Sequence, residues 1–422
     1  NDGHTFTERQ AAFGYTQEEL NLLLEPMALS GTESIGSMGN DVPLAVLSEK
    51  ARSLFDYFKQ RFAQVSNPPL DAIREELVTS IVVPLGAEGN LLEEGPLHAK
   101  QLQLATPILT NEDLGRIRAA GALGFKSATL NSTFDTREGP GSMKIAMDRM
   151  RRQASAAIDT GCSILMISDR TVDSNFAPIP SLLATSGIHH HLIREGTRNK
   201  VGLVVESGEP REVAHFALLL GYGAGAVNPY LAYETFEDMI RQGIFDNGLS
   251  EEEAKKNYVK AINKGLLKIA SKMGISTLQS YRGAQIFEAV GLNQALVDEY
   301  FTWTPSRIGG IGIDIIEEES RNHHMEGFRS AKKPNGIDPG GEYFWRRDGE
   351  YHMWNPRTIE KLQFATRMND QSAYNEFAEL ANDYERRLCT LRGLFEFKGS
   401  GEEGISIEEV EPATDIAKRL AT

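Results

Sequence analysis

The chain has 422 residues, and its 44 basic and 59 acidic side chains give a net charge of −15. Hydrophobic residues make up 41% and charged residues 24%, near globular averages, which excludes wholesale disorder. The acidic balance argues against a nucleic-acid binder, and two cysteines exclude a disulfide framework or a thiolate-rich metal site. At ~150 residues per domain, the length predicts two or three domains.

The first 75 residues are predicted to be mainly helical. Thr16 precedes an acidic turn and leucines at helical spacing, which is typical of a capping box and its helix. The apolar spacing in 51–64 predicts a second helix, ended by prolines at 68 and 69 because proline removes a backbone donor. The core predicted over 76–305 follows these helices and has a different pattern of apolar residues.

That core alternates short apolar runs with helical stretches. The predicted strands are 80–85, 127–130, 163–168, 201–206, 224–228 and 275–279. The predicted helices are 111–124, 143–160, 209–220 and 251–272, with Pro210 at a helix start and a second capping box of Ser250 with Glu253. Runs that are apolar throughout are typical of parallel strands, so the fold class is α/β, as an open doubly wound sheet or a (β/α) barrel.

One stretch in this core, 213–233, carries no Lys, Arg, Asp or Glu and is long enough to span a bilayer. Its glycines and Pro229 favour a buried helix, a glycine turn and a buried strand instead.

The segment 306–422 is predicted to be a separate α+β extension. The glycine-rich run 308–312 predicts a flexible joint. A short helix is predicted at 317–324 and a surface loop at 332–341. Asp348-Gly349 between aromatic runs predicts a β-hairpin over 343–354, since this dipeptide supplies the positive φ angles of a type I′ turn. Helices are predicted at 357–368 and 373–391, with a short one at the end.

Most of the residues that could take part in catalysis or metal binding are interpreted as parts of the protein's structure. Cys162 and Cys389 are expected to pack in a strand and a helix, and the histidines at 189–191 and 323–324 to lie at surfaces or helix ends. Adjacent histidines on a helix point in different directions, so they do not form one metal site. The acidic triplets at 251–253 and 317–319 are interpreted as solvated helix N-termini. No catalytic residue and no metal site is predicted.

Two successive strand-to-helix loops could bind a phosphate group. Ser207 and Gly208 follow the strand 201–206, and Asn228 ends the next one, where barrels often hold phosphate with backbone amides. The ligand would be a flavin or a sugar phosphate. Glu206 and Glu209 flank the loop and oppose this interpretation, and a ligand-free barrel end stays open as the alternative.

Several long motifs resemble the large subunit of the glutamate synthase family, around its central domain. They are RQAAFGYT at 9–16, PMA at 26–28, GSMGND at 36–41, FAQVSNPP at 62–69, KMGIS at 272–276, QSYRGAQ at 279–285, EYH at 350–352 and NP at 355–356. The resemblance covers nearly the whole chain. It implies a rudimentary (β/α) barrel of the TIM type for 1–305, followed over 306–422 by the start of an FMN-binding synthase domain.

The resemblance also implies a function. The family's glutaminase domain releases ammonia from glutamine, and an FMN barrel with an iron–sulfur cluster uses it to convert 2-oxoglutarate to glutamate. Electrons come from NAD(P)H through a small subunit or from ferredoxin, and the sequence does not decide between them. This chain lacks the cysteines of both active sites, so we expect a fragment that is inactive alone, binds no cofactor, and joins the two modules in the cytoplasm or a plastid.

The resemblance further implies a role for the loop of Ser66, Asn67 and Pro68. It matches the part of the family's central domain that lines or gates the entrance of the internal ammonia channel. The alternative is that these residues only end a helix.

Overall fold

The computed structural model describes residues 5–34, 41–61, 71–90, 92–245, 248–328, 336–382, 390–391, 395, 398–399 and 404–421. The described part of the chain is an α/β structure. Its strands are β1 Phe58–Gln60, β2 Val83–Leu85, β3 Leu102–Leu104, β4 Ser127–Asn131, β5 Thr133–Asp135, β6 Ile164–Ser168, β7 Phe176–Pro178, β8 Gly202–Glu206, β9 Ala226–Asn228, β10 Phe287–Leu292 and β11 Ser306–Ile311.

Helices before and between these strands account for most of the remaining structure. They are α1 Phe6–Ala12, α2 Gln17–Glu19, α3 Glu25–Ser30, α4 Ala72–Val78, α5 Asn111–Ala119, α6 Ser142–Asp159, α7 Ser181–Arg194, α8 Val213–Gly221, α9 Tyr230–Arg241, α10 Glu251–Lys272, α11 Leu278–Tyr281, α12 Gln294–Tyr300, α13 Ile313–Phe328, α14 Pro356–Met368, α15 Gln371–Asn382 and α16 Ala413–Leu420. A π-helical turn, Leu20–Leu24, joins α2 to α3.

A parallel sheet in the order β4-β6-β8-β9 forms the centre of the molecule. Every residue of β6, β8 and β9 is buried, which explains the uninterrupted apolar runs in the sequence. Beyond β9, Leu109 donates a backbone hydrogen bond to Val227, so the segment before α5 extends the sheet by one more position. The four predicted strands of this sheet are confirmed, with boundaries within two residues.

The uncharged stretch 213–233 contains a buried helix and a buried strand, as predicted. Helix α8 ends at Gly221, Gly223 adopts a positive φ of 115°, and β9 follows. In the part of the chain that the structure describes, no helix is long and apolar enough to cross a membrane.

The helix predicted over 51–64 is wrong. A single 3-10 turn, Leu54–Tyr57, leads directly into β1, which pairs antiparallel with β10 through Phe58 and Ala289. Apolar residues three and four apart suit a helix, but here the backbone hydrogen bonds of 58–60 go to a strand from much later in the chain. Tertiary pairing overrides the local pattern.

The flexible joint predicted at 308–312 is instead mostly strand. Strand β11 runs parallel to β10, although it lies beyond residue 305. A Cβ on Gly310 would lie 2.2 Å from the carbonyl oxygen of Gly291, so this glycine permits close backbone approach rather than flexibility. The strand predicted at 275–279 is also wrong, because the Thr277 hydroxyl caps α11 there and only one isolated bridge, to Ser80, remains.

The predicted β-hairpin over 343–354 does not form. The type I′ turn predicted at Asp348-Gly349 does not form either, because Asp348 has a positive φ of 67° but Gly349 does not. A turn centred on 347–348 forms instead, closed by Gly349 N–H donating to Arg346 O, and no strands flank it. Backbone N–H groups of residues 341–344 donate to the carboxylate of Glu18 instead of to a facing strand. A distant side chain therefore uses the hydrogen bonds that a hairpin needs.

Three smaller helix predictions need correction. Helix α8 begins at Val213 rather than 209, so Pro210 lies in the preceding loop. The hydroxyl of Ser250 accepts from Glu253 N–H, which is only half of the predicted capping box, whereas the box at Thr16 is complete. Helix α15 begins at Gln371. The prediction extended this helix to 391, but residues 383–389, among them Cys389, lie outside the described residues.

Candidate functional site

The C-terminal ends of β6, β8 and β9 meet at one edge of the parallel sheet, where α/β proteins commonly bind ligands. Ser207, Gly208 and Asn228 all lie at this edge, and Ser207 N–H donates to the Asn228 carbonyl at 3.1 Å. The structure therefore brings the sequence-predicted phosphate residues together.

The polar groups of Ser207 and Gly208 bind the carboxylate of Asp169. Gly208 N–H donates to Oδ1 at 3.0 Å, the hydroxyl of Tyr230 donates to the same oxygen at 2.8 Å, and the Ser207 hydroxyl donates to Oδ2. We call these three donors, from Ser207, Gly208 and Tyr230, the anion cradle. Asp169 follows β6 directly and is 1% exposed.

Burial is the dominant electrostatic influence on this carboxyl group. It raises the pKa of Asp169 to about 7, although the three hydrogen bonds of the cradle act in the opposite direction. Burial and the nearby Asp169 also hold the pKa of Tyr230 well above its usual range. A negative charge in this place is thus costly even with three donors around it.

The cradle is covered by the N-terminal segment. A Cβ on Gly208 would lie 2.6 Å from the ring of Phe13, and the hydroxyl of Tyr15 donates to the Gly208 carbonyl at 3.0 Å. Glycine is therefore required at 208 by aromatic packing. Asn228 is also fully buried: its Nδ2 donates to Leu109 O and Asn111 Oδ1, while its Oδ1 accepts no hydrogen bond from the described part of the chain.

Glu206, at the end of β8, is buried beside two arginines. Arg118 donates to it at 2.5 Å, Arg170 at 3.2 Å and the Ser168 hydroxyl at 2.6 Å. These residues, with Asn111 and Leu114, line an open cavity of about 240 Å³ at the sheet edge. Both carboxylate oxygens of Glu206 therefore already accept hydrogen bonds within this cluster of charged side chains.

Two helix N-termini near this edge are also occupied by the chain's own carboxylates. Glu317 of α13 accepts from the backbone of Gly141 and Met143 at the start of α6, and Glu209 accepts from the N–H and hydroxyl of Ser181 at the start of α7. Carboxylates are stabilising at helix N-termini. The N-termini of α6 and α7 are thus paired with carboxylates of the chain itself.

The placement of Glu317 corrects a prediction. The triplet 317–319 is not a solvated helix N-terminus, because α13 begins at Ile313 and Glu317 is buried. The triplet at 251–253 does form the exposed first turn of α10, as predicted.

A second candidate site is a polar cavity of about 270 Å³ between the N-terminal helices, α13 and residues 336–350. Carboxylates outnumber basic side chains in its lining. Arg52 contacts Asp56, Glu342 and Glu350, and the buried guanidinium of Arg211 lies 2.9 Å from Glu19. Cavities that concentrate polar groups and perturbed pKa values are the usual candidates for binding sites.

Burial shifts the pKa of several titratable groups in this polar cavity, among them two carboxyl groups and a histidine. It raises the pKa of Glu319 and of Glu342 to about 7, and it lowers the pKa of His323 to about 4. Glu319 accepts a hydrogen bond of 2.9 Å from the hydroxyl of Tyr57. Protonated carboxyls near neutrality make the cavity less negative than its composition indicates.

The other sequence candidates are structural where they are described. Cys162 is buried in the core, as predicted. His189 is buried rather than at the surface and accepts from Arg198 at 2.9 Å, and His324 contacts the Asp173 carbonyl. Over the described residues, no group of three His, Cys, Asp or Glu side chains could hold a metal ion. Ser66, Asn67 and Pro68 lie outside the described residues.

The residues that organise both sites are absent from the sequence-based predictions. Asp169 was detectable in principle, because it immediately follows a predicted parallel strand, where polar residues face the ligand edge. Glu18, Arg52 and Arg211 were missed because most of their partners are far away in the chain. Arg52 also pairs with Asp56 four residues later, but an i,i+4 ion pair does not by itself indicate a site.

Residues 8–293 match the family described as the glutamate synthase central domain. The glutamate synthase [NADPH] large chain of Bacillus subtilis is 47% identical over 98% of this chain, and the glutamate synthase [NADH] of Schizosaccharomyces pombe is 42% identical over 97%. Ferredoxin-dependent glutamate synthase 2 of Synechocystis is 41% identical over the whole chain. The chain spans 26%, 20% and 28% of the lengths of these relatives.

Proposed function

The chain belongs to the glutamate synthase central-domain family, and from this we propose that it is the connecting section of a glutamate synthase. The parent enzyme would convert L-glutamine, 2-oxoglutarate and a reductant to two molecules of L-glutamate. One observation carries the proposal: similarity extends over 98% of this chain but over only 26% of the length of the Bacillus subtilis relative. Such coverage fits one section of a larger enzyme.

The connecting section would be non-catalytic. Its polar groups at the sheet edge support this proposal, because the donors of the anion cradle serve Asp169 and two nearby helix N-termini serve Glu317 and Glu209. Groups that are already paired inside the fold contribute to stability rather than to binding substrate. In the parent, FMN and an iron–sulfur cluster of other domains would supply the reduction.

We propose a rudimentary (β/α) barrel for the section up to residue 305, and the start of the FMN-binding synthase domain for 306–422. The alternation of β4, β6, β8 and β9 with helices supports the barrel. The pairing of β10 with β11 favours a second boundary that leaves β11 with the central domain. Limited proteolysis, followed by mass determination of the stable fragments, would distinguish the two boundaries.

The partners of this section would be the glutaminase domain and the FMN barrel of the parent chain. Relatives named for NADPH, NADH and ferredoxin match the same stretch with similar identity, so this similarity does not favour one electron donor. A small NAD(P)H-dependent subunit and ferredoxin both remain proposed donors. The proposed location is the cytoplasm, or a plastid for a plant-type parent.

A turnover assay tests the non-catalytic role. The purified 422-residue chain is expected to release no ammonia from glutamine and to form no glutamate from 2-oxoglutarate and ammonia with a reductant. Ammonia release above that of a heat-denatured sample would overturn the proposal.

The alternative function is a barrel that binds FMN or another phosphate ligand at Ser207, Gly208 and Asn228. The unpartnered Oδ1 of Asn228 and the position of these residues at the sheet edge favour it. Binding would require displacement of the Asp169 carboxylate from the cradle. A visible absorption spectrum with and without added FMN tests it, and uptake of a yellow flavin would place this alternative first.

A further inference from the structure

The anion cradle has the geometry of a binding site for one carboxylate. Its three donors come from the loop after β8 and from the first residue of α9, and they converge on both oxygens of Asp169. Asp169 and Ser207 are 1% exposed and Tyr230 is fully buried. Once Asp169 is ionised, as its pKa of about 7 allows at neutral pH and above, hydrogen bonds from these buried donors to the charged carboxylate are among the strong ones in proteins.

The cradle is held in place independently of the Asp169 side chain. Tyr15 binds the Gly208 carbonyl, and the Ser207 hydroxyl accepts from Glu209 N–H at 3.1 Å. The backbone N–H of Asp169 donates to Glu206 O at 3.2 Å and its carbonyl accepts from Val172 N–H. Removal of the side chain should therefore leave the donors of Ser207 and Gly208 in position and without their carboxylate acceptor.

The surroundings favour a small monoanion over a dianion. Glu209 lies near enough to oppose the charge on Asp169, and Glu206 is buried two residues before Gly208. Arg170 stacks 4.1 Å from the centre of the Tyr230 ring, but its guanidinium already contacts Glu206 and Glu234. A phosphate dianion would meet two carboxylates without an uncommitted cation between them.

We propose that the anion cradle is a carboxylate-binding site whose tethered occupant is Asp169, and that the emptied cradle takes up a small free carboxylate such as formate. The Asp169 side chain thus acts as an internal ligand. This inference does not depend on the role of the chain in glutamate synthesis, because it concerns only the donors and their acceptor.

The test is chemical rescue of Asp169→Gly by formate. Thermal unfolding is followed in increasing formate, with chloride replacing it at constant ionic strength. The variant should lose about 5 °C or more in Tm, because three buried donors lose their acceptor. Formate should then raise its Tm along a saturating curve, as a ligand that binds only the folded state must.

Two variants serve as controls. In Asp169→Asn the side chain still fills the cradle, and in Val205→Ala a buried side chain of β8 is shortened without exposing a donor. Neither variant, nor the wild-type protein, should respond to formate more than to chloride. Inorganic phosphate should not replace formate in Asp169→Gly.

A further variant links the rescue to the cradle itself. Removing one donor, in Asp169→Gly combined with Tyr230→Phe, should weaken apparent formate binding by about tenfold. Equal formate effects in all variants would overturn the proposal. So would an Asp169→Gly variant that folds but does not respond to formate, or an Asp169→Gly variant that is equally insoluble in formate and in chloride.

Discussion

The carboxylate of Glu18 accepts a hydrogen bond of 2.7 Å from the backbone N–H of Gly341, 323 positions later in the chain. Its two oxygens also accept from residues 342, 343 and 344. Glu18 is 3% exposed, so these bonds are shielded from water. A single N-terminal side chain therefore fixes the path of the segment that closes the polar cavity.

Replacing Glu18 with Ala should detach this segment. Four backbone donors lose one charged acceptor, and we expect a loss of about 2–4 kcal/mol in the free energy of unfolding. Hydrogen exchange should become faster at the amides of residues 341–344 in particular. Denaturant unfolding and exchange measured by mass spectrometry check both effects.

The control for this prediction is Glu76→Ala, at an exposed position of α4. It should leave both measurements near the wild-type values, since exposed substitutions usually change stability by less than about 0.5 kcal/mol. Unchanged exchange at 341–344 in Glu18→Ala would show that the carboxylate does not hold the segment.

The Glu18 contact also shows where sequence reasoning reaches its limit. The aromatic runs around Asp348-Gly349 predict a hairpin, and a turn does form there, although it is centred on 347–348. Whether strands form depends on where the neighbouring N–H groups find acceptors, and here the acceptor comes from α2. No local pattern contains that information.

Replacing Arg211 should destabilise the packing of the N-terminal segment on the core. Its guanidinium donates to Glu19, to the carbonyls of Phe13 and Gly14, and to Glu209 O. Arg211→Met would leave Glu19 without its buried partner, at a cost of about 3–5 kcal/mol. Arg211→Lys keeps the charge but not the planar fork, so we expect an intermediate loss. Denaturant unfolding measures both.

The matched control is Arg116→Met on α5, where the arginine side chain is 81% exposed. Its surface ion pair with Asp113 should contribute less than about 1 kcal/mol. Equal stability losses for Arg211→Met and Arg116→Met would rule out a special role for the buried guanidinium of Arg211.

Gly208→Ala should destabilise the protein through a clash with Phe13. The added Cβ would lie 2.6 Å from the ring, and overpacking of this kind costs about 1–3 kcal/mol. Phe13→Leu should relieve part of that cost, so a double-mutant cycle should give a favourable coupling. Gly115→Ala in α5, with open space around it, should instead stabilise by about 0.5–1 kcal/mol. Additive losses at 208 and 13 would contradict the packing role.

A bulky side chain at Ser66 tests the proposed ammonia channel in the enzyme that contains this chain. If the loop lines the channel entrance, Ser66→Phe should leave glutamine hydrolysis intact but reduce glutamate formation, because ammonia escapes before it reaches the synthase site. The ratio of ammonia released to glutamate formed measures this loss. Ser66→Ala, which adds no bulk, should keep the wild-type ratio, and an unchanged ratio in Ser66→Phe would remove the channel role.

The sequence was most informative where local pattern and tertiary structure agree. Strands β6 and β8 are apolar throughout because both faces are buried, so their position and the edge at which Ser207 and Asn228 meet follow from the sequence. Strand β1 was missed because Leu54, Phe55 and Phe58 have helical spacing while the strand is stabilised by β10. The position of Asp169 after a predicted strand was visible in the sequence, but its donors lie 38 and more positions away, so their convergence on it was not.

Glu319→Gln should become more stable relative to the wild-type protein as the pH rises from about 4.5 to about 7. Burial raises the pKa of Glu319 to about 7, so in this window the folded state holds a proton that the unfolded state has released. The wild-type free energy of unfolding therefore falls as the pH rises through the window, and glutamine removes that dependence. Because Glu319 is only half-buried, solvent screening should reduce the difference to on the order of 1 kcal/mol.

Urea unfolding at several pH values measures this difference in the free energy of unfolding, with Glu318→Gln on the exposed face of α13 as the control. An equal pH dependence in the two variants would mean that burial in the polar cavity does not perturb Glu319.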